Sequence, residues 1–163
     1  MLVHHLAKYA AYHRNPRNIA THMVGIPLIV LAVVVLLSRP VLPVGAVALT
    51  PAMLAALAAT IWYLRLDRPF GWAMAAVLAI ACLAGLAIGR AATPVWLATG
   101  IGTFVLGWAI QFAGHAIEGR KPAFIDDLRG LLVGPLFVLA EIVFALGGRP
   151  AIHRAVQAEQ TRF

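Results

Sequence analysis

The chain has 163 residues, of which 62% are hydrophobic and 12% are charged. Soluble domains average about 45–50% apolar and about 25% charged residues, so the composition excludes a typical water-soluble globule. The net charge of +7 comes mostly from arginines that occur singly or in pairs. Because there is no basic run or basic helix face, we expect no binding to nucleic acid. A single cysteine, Cys82, excludes an internal disulfide and a cysteine-based zinc site.

Four uncharged stretches are long enough to cross a bilayer as helices, since a span needs about 20 apolar residues. They cover 19–38, 40–64, 69–89 and 91–114. Before them, residues 1–18 predict an interfacial segment with an amphipathic helix over 2–14. After them, we expect a cytoplasmic loop and helix over 115–129, a fifth helix over 130–148 and a tail over 149–163. The predicted fold is an all-α integral membrane helical bundle that forms a single domain over 1–163.

The fifth helix is expected to insert only partly, because Gly134-Pro135 and Glu141 interrupt its apolar run. Spacing alone leaves Glu141 as an acid lining a span, a metal ligand or a partner for a buried arginine. On the third span, Ala81, Gly85 and Gly89 form a small-residue stripe that predicts close packing on a neighbouring helix. That neighbour belongs to the same chain or, alternatively, to a second copy in a homodimer.

Basic residues flank the predicted spans unevenly. If the N-terminus is cytoplasmic, eight cations lie on that side: Lys8, Arg14, Arg17, Arg65, Arg68, Arg120, Lys121 and Arg129. The opposite loops carry Arg39 and Arg90. This asymmetry satisfies the positive-inside rule and predicts a multi-pass protein whose N-terminal segment faces the cytoplasm.

Polar side chains collect in two segments. In the first, His5, Tyr9 and His13 are four apart on one helix face. Asn15-Pro16 then supplies a cap and a favourable first-turn proline, so a new helix begins there. In one unbroken helix His13 and His22 would point about 180° apart, whereas a corner at Asn15-Pro16 can turn both toward one point.

In the second segment, Gln111, His115 and Glu118 share a helix face. His115 and Glu118 are three apart, which suits either metal ligation or a helix-stabilising pair. Both segments fall at the cytoplasmic ends of predicted spans and are therefore expected to meet. A histidine-rich ligand set without thiolate suits iron, zinc, copper or nickel, and imidazole with one carboxylate favours non-haem Fe(II).

These motifs resemble a known family, the membrane 2-hydroxy fatty acid dioxygenases of fungal fatty acid alpha-oxidation. The likeness lies in residues 9–27 and 111–141, including Gly134-Pro135-Leu136-Phe137. It implies an Fe(II)-dependent enzyme that converts a 2-hydroxy fatty acid and O2 to CO2 and the acid shortened by one carbon. It also implies His13, His22 and His115 as iron ligands. The composition indicates a bacterial-type member in the inner membrane.

Further roles follow from the motifs and the resemblance. Glu118 is expected as a fourth metal ligand or a catalytic base, and Tyr9 as a catalytic side chain beside the metal. Four polar residues are expected to orient the ligands: Asn15, Asn18, Gln111 and Glu141. Three cations are expected to pair with the substrate carboxylate: Arg17, Arg120 and Lys121. A second metal would require His5 and Glu141 to converge on the same site.

A small membrane transporter or a metal-binding membrane scaffold is the alternative to an enzyme. A translocation pathway requires polar residues along the spans. The predicted spans 40–64 and 69–89 contain no ionisable group other than Cys82 and the phenol of Tyr63. The polar cluster is confined to one interface, which favours the enzyme.

Overall fold

The computed structural model describes residues 1–44 and 47–163. Within them lie seven α-helices: α1 Leu2–Ala11, α2 Pro16–Leu36, α3 Pro51–Leu66, α4 Arg68–Gly89, α5 Thr93–Glu118, α6 Gly130–Ala145 and α7 Pro150–Gln160. Two short antiparallel strands, β1 Leu42–Val44 and β2 Val47–Leu49, separate α2 from α3. A short 3-10 helix, Ala123–Ile125, lies between α5 and α6. The predicted all-α membrane bundle is confirmed.

Three helices are long and apolar enough to cross a membrane, namely α2, α4 and α5. Helices α3 and α6 are apolar but shorter. The span predicted over 40–64 differs most, because its helix begins only at Pro51 and residues before it pair as strands, Leu42 opposite Leu49. Residues 45–46 of that predicted span lie outside the described residues.

Local side chains fix where α3 and α4 begin. The Thr50 hydroxyl accepts a hydrogen bond from the Met53 amide at 3.3 Å, and Pro51 follows in the first turn. The Asp67 carboxylate accepts one from the Phe70 amide at 3.0 Å, also with a proline in the first turn. A side-chain cap satisfies amides that have no partner inside the helix, and proline is tolerated where no such amide is needed.

The chain folds into two compact units, of which one comprises Pro27–Trp108. In it, α3 packs along α4, and Val34, Ala52 and Cys82 form a buried apolar cluster. A Cβ added to Gly85 would lie 2.8 Å from Cγ1 of Val34. The small-residue stripe therefore packs within the chain, and the homodimer stays a prediction.

The other unit comprises Met1–Ile26 and Ala109–Phe163. In it, α1 packs on α6 and α7, and Nε2 of Gln160 donates to the Ala10 carbonyl at 3.0 Å. Within the predicted tail over 149–163, Pro150 starts a helix, α7, whose Val156 is buried. Arg149, in the left-handed region at φ 53°, makes the turn into it. That 1–163 is a single domain stays a prediction.

Candidate metal centre

A corner in the backbone brings the first polar segment to the site. Helix α1 ends at Ala11 and α2 begins at Pro16. The side-chain oxygen of Asn15 accepts a hydrogen bond from the Arg17 amide at 2.9 Å, as expected for a cap. Because the chain turns here, the rings of His13 and His22 lie 4.3 Å apart instead of on opposite sides of one helix.

Three histidines from three places in the chain converge in this unit. The ring of His115 lies 5.2 Å from that of His13 and 4.9 Å from that of His22. All three side chains are buried. One nitrogen from each lies within 4.8 Å of the other two, so the group can hold a metal ion.

Hydrogen bonds to backbone carbonyls fix which nitrogen each of two rings presents to a metal. Nδ1 of His13 donates to the Tyr9 carbonyl at 2.7 Å, and Nδ1 of His22 donates to the Asn18 carbonyl at 2.9 Å. A neutral imidazole that donates through Nδ1 leaves the lone pair of Nε2 free for a metal, and such a bond orients the ring. Burial lowers the pKa of His13 to about 4, so this ring is neutral at pH 7.

The site fits a metal ion in chemistry as well as in shape. Nε2 of His13 and Nδ1 of His115 are buried and have no hydrogen-bond partner in the described part of the chain. Leaving such an atom unpaired costs about 1–3 kcal/mol, and coordination removes that cost. Metal–nitrogen bonds of about 2.0–2.1 Å place two ligands of one ion at most about 4.2 Å apart. A separation within 4.8 Å is close to that limit.

Glu118 lies beside the site and ties α5 to the corner. Its carboxylate accepts hydrogen bonds from the amides of Arg14 at 3.0 Å and Asn15 at 2.9 Å, and from Nδ2 of Asn18 at 3.0 Å. It does not belong to the group of three ligand side chains. Its role as a fourth ligand or base stays a prediction, and the contacts give it a positioning role.

Gly114 allows α5 to approach α2 at the level of the site. A Cβ at this position would overlap the Thr21 hydroxyl and lie 2.5 Å from Oδ1 of Asn18. A larger residue would therefore push the His115 helix away from the helix that carries His22.

Tyr9 and Gln111 complete the surroundings of the histidines. The ring of Tyr9 stacks on that of His13, with centroids 4.3 Å apart, and burial raises the pKa of its phenol. Gln111 lies one turn before His115 and is 4% exposed, and its Nε2 has no hydrogen-bond partner among the residues that the structure describes. The sequence reasoning assigned no role to Phe137, which packs 5.0 Å from Tyr9. The signal in the sequence that could have indicated Phe137 is the Gly134-Pro135-Leu136-Phe137 motif.

The predicted substrate-binding cations lie at the surface, outside the group of histidines. Arg17 is exposed at the start of α2. Nη1 of Arg120 donates to the Ala11 carbonyl at 2.9 Å, and Lys121 pairs with Asp126 at 2.6 Å. Arg120 and Lys121 line a cavity of about 360 Å³.

A second metal would need His5 and Glu141 beside the histidines. Across residues 1–44 and 47–163, His13, His22 and His115 are the one set of three or more potential ligands close enough for a metal. His5 lines a neighbouring cavity with Tyr9, and Glu141 is half-buried in α6. Neither residue belongs to the set.

Comparison with known proteins gives a family over most of the chain. Residues 1–146 match the family described as 2-hydroxy-palmitic acid dioxygenase Mpo1-like. The chain is also 34% identical over 154 residues to the 2-hydroxy-palmitic acid dioxygenase MPO1 of Saccharomyces cerevisiae, covering 93% of this chain and 85% of the yeast protein. No solved structure matches the chain.

Proposed function

The chain belongs to the 2-hydroxy-palmitic acid dioxygenase Mpo1-like family, and on that premise we propose that it is an Fe(II)-dependent dioxygenase of long-chain 2-hydroxy fatty acids. The observation that carries the proposal is the buried set of His13, His22 and His115, whose nitrogens include two with no partner among the described residues. Such a set of neutral imidazoles suits a non-haem iron.

The reaction is balanced without an external reductant: RCH(OH)COOH + O2 → RCOOH + CO2 + H2O. Bound Fe(II) would supply the activation of O2 for cleavage of the bond between C1 and C2. The carbonyls of Tyr9 and Asn18 orient the rings of His13 and His22. Burial lowers the pKa of His13 and so keeps its ring neutral at pH 7. Tyr9 and Phe137 shield the rings from water. Arg17, Arg120 and Lys121 attract the carboxylate at the surface before it reaches the buried site.

The protein acts in the bacterial inner membrane, with its site on the cytoplasmic side. The support is the excess of eight cations over two on that side of the predicted spans. A fatty acid in a bilayer keeps its carboxylate at the interface, so a site at this depth meets the head group without extracting the lipid. Single cysteines introduced near Arg39 and Arg90, in a Cys82→Ser background, should react with a reagent that does not cross the membrane. Labelling only from the cytoplasmic side would contradict the orientation.

The activity is tested with purified protein in detergent, loaded with Fe(II) and incubated with 2-hydroxypalmitate and O2. Mass spectrometry should detect the acid shortened by one carbon. His13→Ala, His22→Ala and His115→Ala should each lose bound iron and the product. His4→Ala removes a histidine that pairs with Glu159 at the surface and should keep both. Iron that stays bound without product at any chain length would contradict the reaction.

A further inference from the structure

Gln111 holds a buried hydrogen-bond donor for which residues 1–44 and 47–163 supply no acceptor. It lies on α5, four residues before His115 and therefore on the same helix face. Its side chain is 4% exposed, and its Nε2 has no hydrogen-bond partner. A buried donor in this state points to a ligand that accepts from it.

The other buried amide of the site differs in this respect. Nδ2 of Asn18 donates to Glu118 at 3.0 Å, so this nitrogen already has an acceptor within the protein. In the described part of the chain, the only buried side-chain amide nitrogen without a partner belongs to Gln111. A ligand beside the histidines that needs a hydrogen bond from an amide would therefore receive it there.

The nearby cations are poor candidates for the same task. Arg120 donates to the Ala11 carbonyl, and Lys121 pairs with Asp126. Both are exposed at the surface. They attract an anion electrostatically but do not supply a buried donor beside the three imidazoles.

We propose that Nε2 of Gln111 donates a hydrogen bond to the carboxylate of the bound 2-hydroxy fatty acid. The inference rests on the proposed function, which supplies the ligand. A carboxylate only accepts hydrogen bonds, and a bond to a charged acceptor is about twice as strong as one between neutral groups. Gln111 thus selects for an acid head group, independently of the 2-hydroxyl.

The test measures binding in the absence of turnover. Co(II)-substituted protein without O2 is titrated with 2-hydroxypalmitate and with palmitate, and the dissociation constants are read from the Co(II) absorption spectrum. Gln111→Met keeps the length of the side chain and removes both N–H donors. The dissociation constants of both acids should rise by the same factor, roughly 10- to 100-fold, while the metal content stays unchanged. Gln157→Met changes an exposed glutamine whose amide faces His153, and should bind like the wild type.

Three results would overturn the inference. Unchanged affinity for both acids would show that the amide does not contact the ligand. If Gln111→Met binds 2-hydroxypalmitate more weakly but palmitate with unchanged affinity, the amide donates to the 2-hydroxyl and not to the carboxylate. Loss of Co(II) from Gln111→Met would show that the amide acts by holding His115.

Two further arms keep the test decisive. If Gln111→Met does not fold, Gln111→Glu keeps the shape and replaces the donor with a negative charge, and it should weaken both acids at least as much. Unchanged affinity in that variant would also overturn the inference. If the wild type binds metal but neither acid, the proposed function is wrong and the inference falls with it.

Discussion

Replacing Gly114 by alanine tests whether the close approach of α2 and α5 builds the metal centre. The new Cβ would overlap the Thr21 hydroxyl and lie 2.5 Å from Oδ1 of Asn18. Alanine in a helix is favoured over glycine by about 1 kcal/mol, whereas overpacking a tight contact costs about 1–3 kcal/mol. The net effect on stability is therefore a loss of at most about 2 kcal/mol. Because the substituted residue is next to His115, we expect the larger effect on metal affinity.

Gly102→Ala is the matched control, because Gly102 lies in the same helix and a Cβ there meets no atom of the described residues within 4 Å. It gains the helix propensity without the clash and should be neutral or slightly stabilising. Metal affinity, measured by competition with a chelator on protein in detergent, should fall about 10- to 100-fold in Gly114→Ala. It should be unchanged in Gly102→Ala.

If Gly114→Ala binds metal as tightly as Gly102→Ala and melts at the same temperature, the close approach of α5 to α2 at Gly114 does not position His115. The side chains of Thr21 and Asn18 would then have moved aside without cost to the site.

Three further predictions concern the surroundings of the site. Glu118→Gln should lower metal affinity about tenfold, because the amide is a weaker acceptor for the three N–H groups. Glu159→Gln, at the surface, should leave metal affinity unchanged. Equal affinities in the two variants would exclude the positioning role of Glu118. Val156→Ala, at the buried face of α7, should lower the free energy of unfolding by about 1–2 kcal/mol in thermal denaturation. An unchanged melting temperature would show that the packing of α7 does not stabilise the fold. In metal-free protein, the His13 ring alone should contribute a loss of about 3 kcal/mol of stability as pH falls from 6.5 to 4, because its pKa drops from 6.5 to about 4 on folding and the unfolded chain binds the proton first. His13→Gln should show a shallower pH dependence, and an equal slope would contradict this cause.

The parts of the fold that the sequence predicts well are those where one physical signal dominates. Long uncharged runs give α2, α4 and α5, because a backbone in hydrocarbon must satisfy its hydrogen bonds internally. Leu42–Val44 and Val47–Leu49 form strands where the sequence predicts part of a span, because a short apolar run suits a strand as well as a helix. The two readings separate only when the partner strand is known, and Leu42 pairs with Leu49.

Helix α7 was missed for the opposite reason. Its composition is polar, so residues 150–160 carry no continuous apolar signal and resemble a tail. Its apolar face is narrow, and Val156 is its buried side chain. The hydrogen bond from Gln160 to the Ala10 carbonyl shows that α7 is held by α1, a tertiary contact that spacing within the segment cannot reveal.

Glu118 shows why spacing identifies a site residue without identifying its role. Its position three residues after His115 suits a ligand, and the same position at the end of α5 places it against the corner before α2. The amides of Arg14 and Asn15 precede a proline and have no partner within a helix turn of their own, so a carboxylate is a favourable acceptor for them. The acid thereby holds the turn that aims His13 toward His22, across about a hundred residues of sequence. A metal bound by the three histidines and a carboxylate that binds the corner stabilise the same arrangement, so each should strengthen the other.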